Sequence, residues 1–161
     1  MKENNYNLLV NQIFDTVLYS RPKAIAHIGG SENYPRIDGF AHFYDTAAGC
    51  VVIAYVQNLP QNSPFFGIHI HQKGVCEDDF SSAGAHWGDG LHPQHTGDLP
   101  SLKNANGNAF AMFLDSNFTA IEAIGKSIII HAMPDDFTSQ PAGNSGERIA
   151  CGIIKTNKNT T

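Results

Sequence analysis

The stretch 67–99, GIHIHQKGVCEDDFSSAGAHWGDGLHPQHTGDL, decides how the rest of the chain is read. It carries five of the eight histidines and one of the three cysteines. His69 and His71 stand at i and i+2 behind an apolar run, Pro64, Phe65, Phe66, Gly67 and Ile68, that reads as a strand. Alternate side chains of a strand share a face, roughly 7 Å apart at ~3.3–3.4 Å per residue. Two imidazoles on one face can converge on one ion held about 2 Å from each nitrogen. The plainer alternative is one buried and one solvated ring. Lys73–Pro100 then forms a long loop rich in Gly, His and Asp. Loops this long inside a compact domain are usually functional. Bound metal ions would supply the order that its composition does not.

On the N-terminal side, Ala24–Ile28 reads as a strand ended by Gly29-Gly30. Tyr34-Pro35 is a turn signal. Ile37–Tyr44 alternates, with Ile37, Gly39, Ala41 and Phe43 on one face and Asp38, Phe40, His42 and Tyr44 on the other. Asp45–Gly49 turns the chain and Val51–Gln57 returns, giving a β-meander. His27 and His42 fall inside it, away from the other histidines, and read as structural or solvated. Upstream, Val10, Ile13, Phe14, Val17 and Leu18 sit at helical spacing, with Asn4 or Asn5 as the cap. The apolar face of this helix must dock on the domain body or on a partner chain, which leaves a homodimer open. Arg21-Pro22 breaks it.

On the C-terminal side, Asn108–Leu114 reads as a strand, Thr119–Ile124 as a helical turn, and Lys126–His131 as a buried strand ending in histidine. Met133–Gly146 is a second loop, Ile149–Ile154 closes the sheet, and Lys155–Thr161 is a frayed polar tail. The expected organisation is a helical extension over 1–22, one β-domain over 23–155 and a tail over 156–161. The fold class is all-β, a sandwich or flattened barrel of about eight short antiparallel strands with two long functional loops.

Composition bounds the function. The 161 residues make one domain the default. Only 16% are charged and 15 are glycine, which fits a loop-rich β-domain better than a helical bundle. A net charge of −5 argues against nucleic acid as a partner, and leaves an anionic substrate in need of local positive charge. No stretch approaches ~18 consecutive apolar residues, so no helical membrane span is expected. No secretory signal is evident, which points to the cytoplasm unless the chain has been trimmed. Three cysteines permit one internal disulfide and leave one thiol. Cys50, within Cys50–Ala54, reads as a buried small hydrophobe.

His86, His92, His95 and Asp98 fall within thirteen residues. Three imidazoles and a carboxylate suit tetrahedral zinc, although H-P-x-H-x-x-D is neither a zinc-finger nor an HExxH pattern. A solvated His-rich loop is the competing reading.

Taken in order, the motifs Gly67–His71, Cys76, Ser82–His86, His95–Leu99, Ile130-His131 with Asp135, and Gly143–Gly152 resemble those of the copper–zinc superoxide dismutase family, in its bacterial form. The resemblance runs from about Ala24 to Ile154. It implies a Greek-key sandwich and superoxide as substrate. It assigns copper to His69, His71, His86 and His131, with His86 as the bridging imidazolate. It assigns zinc to His86, His95 and Asp98, with His92 as fourth ligand. Asp135 would link a copper histidine to a zinc histidine, and Arg148 would guide the anion. Cys76 and Cys151 would form a disulfide, closing a loop of about 75 residues worth roughly 4–5 kcal/mol at most in the chain-entropy model. Copper(II) favours tetragonal imidazole ligation, so the ligand set agrees with the metal.

Two loops depart from the family. The segment between His86 and His95 is short, so His92 is chosen by proximity, and Asp89 competes with it in Trp87-Gly88-Asp89-Gly90. The loop from His131 to Arg148 is also short, with Arg148 its only cation. The implied activity is dismutation by alternate reduction and reoxidation of copper. An ion pair of Arg148 with Glu147 or Asp136 is the bland reading of that residue. A metal-storage or chaperone-like module, and a structural zinc protein, are the rivals. A zinc hydrolase lacks a placed acid or base.

Overall fold

The computed structural model describes residues 2–158. After helix α1 (Lys2–Tyr19) come strands β1 (Ala24–Gly30), β2 (Asp38–Thr46), β3 (Gly49–Gln57), β4 (Phe65–Phe66) and β5 (Ile68–His71). A short 3-10 segment (Asp78–Ala83) interrupts the long loop. Then follow β6 (Leu102–Lys103), β7 (Ala109–Asp115), helix α2 (Ala120–Ala123), β8 (Ser127–His131), β9 (Arg148–Ile153) and β10 (Lys155–Thr156).

One curled antiparallel sheet carries the order β5-β8-β9-β1-β2-β3-β7, with β10 added beside β1. The chain passes from β3 near one edge to β5 at the other, returns to β7 and crosses again to β8. Such edge-to-edge connections are Greek-key in kind. The alternation in β2 sets its two faces. Gly39, Ala41 and Phe43 are buried, while Phe40 and His42 are half-exposed. Inside the curl, Ile28, Phe43, Phe66, Ile68, Ile70, Leu99, Ile128 and Ile130 are almost wholly removed from water. Each such aliphatic or aromatic side chain contributes about 1.5–3 kcal/mol on burial. The helical turn α2 is fixed by a capping box between Thr119 and Glu122.

Five local expectations are corrected. The apolar run before His69 is not one strand: Phe65–Phe66 pairs with β6 in a separate two-stranded sheet, and Gly67 marks the change. Gly29 and Gly30 do not end β1 but pair with Cys151 and Ala150 of β9. The β2–β3 turn is tighter than Asp45–Gly49, because Asp45 and Thr46 remain in β2. Asn4 and Asn5 do not cap α1, which is already helical at Lys2. Lys155 and Thr156 are not frayed, since they pair with Ile25 and Ala24, and the buried Asn157 donates to the Pro22 carbonyl. The rest of the expected tail, 159–161, lies outside the described residues.

Helix α1 half-buries Ile13, Thr16 and Val17 near the β2–β3 turn and leaves Tyr6, Val10, Phe14 and Leu18 exposed. The helix therefore docks on the body along only part of its apolar face.

Candidate metal centre

Three elements position the site. Strand β5 is an edge strand, paired only to β8, with Ile68 opposite Ile130 and His71 opposite Ser127. Its free edge is covered by the long loop. Trp87 donates its N–H to Ile70 O at 2.8 Å, Ile70 donates to Gly97 O at 2.9 Å, and Gln72 donates to Ala85 O at 3.0 Å. These bonds satisfy backbone groups that an edge would otherwise expose. They also set His86 across from His71 and Asp98 across from His69. Part of the loop's order thus comes from the strand edge and not from metal alone. A side chain at Gly97 would collide with the Ile70 carbonyl, which explains glycine there. The loop is further pinned by Leu99 in the core and by Trp87, which packs on Phe118 beneath the Lys126 ammonium.

The third element is the β8–β9 pair. Its register slips between Ile130 and His131, where His131 meets Arg148. Such irregularities re-aim side chains beside functional sites. Here the slip places His131 against His71 and sets Arg148 opposite it.

Two groups of ligand atoms result, each within 4.8 Å: His69, His71, His86 and His131; and His86, His92, His95 and Asp98. His86 belongs to both. Among the described residues no other cluster of this kind occurs. His92, 3% exposed, completes the second group, and Asp89 is exposed outside it. His27 and His42 lie in neither group.

Lone-pair accounting shows that both groups suit cations. The Nδ1 of His71 faces Gly84 O at 2.9 Å, and the Nδ1 of His131 faces Gly146 O at 3.3 Å, so each Nδ1 carries the hydrogen. Both Nε2 atoms are then bare acceptors, and they lie 3.3 Å apart. Two facing lone pairs repel unless a cation lies between them. The Nε2 atoms of His69 and His92 each donate to Asp135, at 2.8 Å to Oδ2 and Oδ1 respectively. That leaves Nδ1 of both rings as acceptors, and these two atoms, with His86 Nε2, are buried without a hydrogen-bond partner. Orphaned buried acceptors cost about 1–3 kcal/mol each, which a metal bond would remove. The second group closes on Asp98. His86 Nδ1 lies 2.6 Å from Oδ1, and the Nδ1 atoms of His95 and His92 lie 3.0 and 3.1 Å from Oδ2.

Electrostatics agrees. Burial pushes the His71 imidazole down to about 2 and, with the neighbouring His69, the His131 imidazole down to about 3, so both rings stay neutral at pH 7. Neutral imidazole is the ligating form. Burial alone would raise the Asp98 carboxyl, but the His86 hydrogen bond and charge and the His95 backbone N–H outweigh it and hold it at about 2.

Arg148 makes no ion pair with Glu147 or Asp136. Its Nη1 donates to Phe80 O at 2.5 Å and its Nη2 to Gly84 O at 2.7 Å. Glu147 instead accepts from the Tyr34 hydroxyl, and Asp136 is occupied by Ser139 and Thr138. Gly84 O therefore serves both Arg148 and His71. Cys76 and Cys151 form a disulfide with Cα atoms 5.8 Å apart, tying the same loop to β9. Cys50 is buried and free, its thiol pushed up to about 12 by burial and by Asp45.

Two residues escaped the sequence reading. The Gln140 amide clips His92 at both backbone groups, accepting from its N–H at 3.0 Å and donating to its carbonyl at 2.6 Å. Gly143, at φ +63°, lies so close to Asp135 that a Cβ would collide with the carboxylate. Gly143 stands out in the sequence only as the first residue of the Gly143–Gly152 motif, and nothing in the letters marks Gln140.

Comparison with known proteins gives one consistent result. Residues 37–154 match the family model described as copper/zinc superoxide dismutase. The chain is 34% identical over 135 residues to the copper–zinc superoxide dismutase 1 of Aquifex aeolicus (strain VF5), covering 73% of this chain and 79% of that one. It is 32% identical over 151 residues to the second such enzyme of the same organism, covering 83% and 86%. Among solved structures, a double mutant of a superoxide dismutase-like protein from Bacillus subtilis superposes with a TM-score of 0.68 at 29% identity, over 80% of this chain and 94% of that one.

Proposed function

The chain belongs to the copper/zinc superoxide dismutase family and is a superoxide dismutase, and on that premise we propose how its own residues divide the work. His69, His71, His86 and His131 would hold copper, and His86, His92, His95 and Asp98 would hold zinc. Copper supplies one-electron oxidation of one superoxide and one-electron reduction of the next, while zinc supplies a fixed positive charge on the shared ring. Across the cycle two superoxide ions and two protons give O₂ and H₂O₂.

Arg148 binds and orients the anion. Two of its five N–H donors are spent on carbonyls, which fix the guanidinium beside His71 and His131 and leave the others for superoxide. A fixed cation at the site offsets the net charge of −5. His86 handles one proton at Nε2, taking it up and passing it to the peroxide that forms. Asp98, in the same zinc set and 2.6 Å from Nδ1, would hold that edge of the ring through the shared ion while Nε2 changes state. Asp135 holds the outer nitrogens of His69 and His92 and so couples the two sets through one carboxylate.

The observation that carries this reading is His86, a member of both groups whose Nε2 is buried without a hydrogen-bond partner. Replacing His86 with Ala in copper- and zinc-loaded protein should abolish the shared behaviour, and full dismutation by that variant would reject it. Storage of metal without turnover is disfavoured by Arg148, which stands opposite His131 with no carboxylate partner.

For the assembly, we propose a homodimer. Phe110, Met112 and Leu114 are exposed in a row on β7, beside the half-buried Tyr55 and Ile53 of β3, and such patches mark contact surfaces. Light scattering at micromolar concentration tests it. The disulfide supports an oxidising, extracytoplasmic setting over the cytoplasm expected from the N-terminus. Fractionation of the source cells decides between them.

A further inference from the structure

The edge of β1 changes partner along its length. Gly29 and Gly30 pair with β9, whereas Ala24 and Ile25 pair with β10. At this change of partner an open cleft of about 540 Å³ is left, within the size range of small-molecule sites. Its apolar wall is made by Ile25, Ile153 and the Cys76–Cys151 disulfide, and Lys155 and Lys158 line it as well. Among the described residues no acidic one lines it. Both lysines are exposed, and among the described residues neither has a carboxylate within 4.0 Å. On a chain of net charge −5, two ammonium groups with no carboxylate neighbour among the described residues, set beside an apolar wall, form a local exception. An ammonium pair attracts an anionic head, and the wall gains from covering by hydrocarbon.

We propose that this cleft binds one small carboxylate with an apolar tail, its head against Lys155 and Lys158 and its tail along Ile25, Ile153 and the disulfide. The site uses none of the metal-binding residues or Arg148. It is therefore independent of the dismutase reading. Because both cysteines line the cleft, a bound tail also covers the disulfide on that side against reductants in solution.

The probe is decanoate, titrated calorimetrically into the copper- and zinc-loaded protein below its micelle-forming concentration. The expected result is one saturable site per chain. Decanol should bind at least tenfold more weakly. The double variant K155E/K158E should lose at least tenfold in affinity while its dismutase activity stays unchanged. Saturating decanoate should slow reduction of Cys76–Cys151 by dithiothreitol severalfold in the parent and not in the variant. Absence of a saturable site, equal affinity for decanol and decanoate, unaltered binding by the variant, or uptake only by anionic vesicles would each overturn the proposal.

Discussion

The two ligand sets share a ring but are built in opposite ways. Three of the four histidines proposed for copper lie on the paired strands β5 and β8, whose backbone is held by the sheet before any ion arrives. All four residues proposed for zinc lie in thirteen residues of loop, held by a few bonds to one strand edge, by Leu99 and Trp87, and by clips from the second loop. The difference teaches that the copper set is organised by the fold and the zinc set by its neighbours. Damage to a neighbour should therefore reach zinc first.

His86 stands where the comparison must fail, because it serves both sets. His86→Ala should lower dismutation by roughly 10²–10⁴-fold, the range for a positioned proton donor, and weaken both metals in elemental analysis. Loss of zinc alone would mean that the ring is not shared. His92→Ala sharpens the contrast. Zinc affinity should fall by more than about 100-fold, beyond the usual effect of outer residues, with copper largely retained. If Asp89→Ala has that effect instead, the fourth zinc ligand is misassigned.

Arg148→Ala should lower kcat/KM on the order of tenfold and flatten its dependence on ionic strength, with both metals still bound. An unchanged salt profile would remove Arg148 from anion capture. Gln140→Ala touches no ligand atom, yet should cost about tenfold in zinc affinity by releasing the His92 backbone, and leave copper unmoved. Equal loss of both metals would contradict the division between strand and loop.

Acid tests the copper side in metal-free protein. His71 and His131 are held near 2 and 3 in the fold against about 6.5 in the unfolded chain. Folded pKa values below the unfolded ones mean that the unfolded state binds more protons. The stability that neutral rings permit is present above pH 6.5 and is lost as pH falls toward 3. Each ring should contribute a slope of about 1.4 kcal/mol per pH unit in that window. Denaturant titrations from pH 6.5 to 4 should show it, and His131→Gln should reduce it.

How far the site could be read from the chain depends on what carries each feature. His69 and His71 were legible because a strand repeats every two residues and both were placed on one face. His131 was legible as the end of the run Ile128–Ile130. The meander Ile37–Gln57 was legible through its alternation. The split of the Phe65–His71 run was not, because a buried run looks the same whether it pairs with one sheet or two. The pairing of Lys155 and Thr156 was missed for a related reason: polar residues at a chain end carry no periodic signal. Gly84 O holds both His71 and Arg148, yet every residue has a carbonyl, so nothing in the letters marks this one. Gln140 acts through the backbone of His92 from 48 residues away, a contact that only the folded loops create.

Replacing zinc with a second copper and recording the electron paramagnetic resonance spectrum asks directly whether one ring joins the two sites. A shared His86 imidazolate predicts magnetic coupling that suppresses the ordinary copper signal in the parent and restores it in His86→Ala. Two independent copper signals of full intensity in the parent would show that no ring is shared.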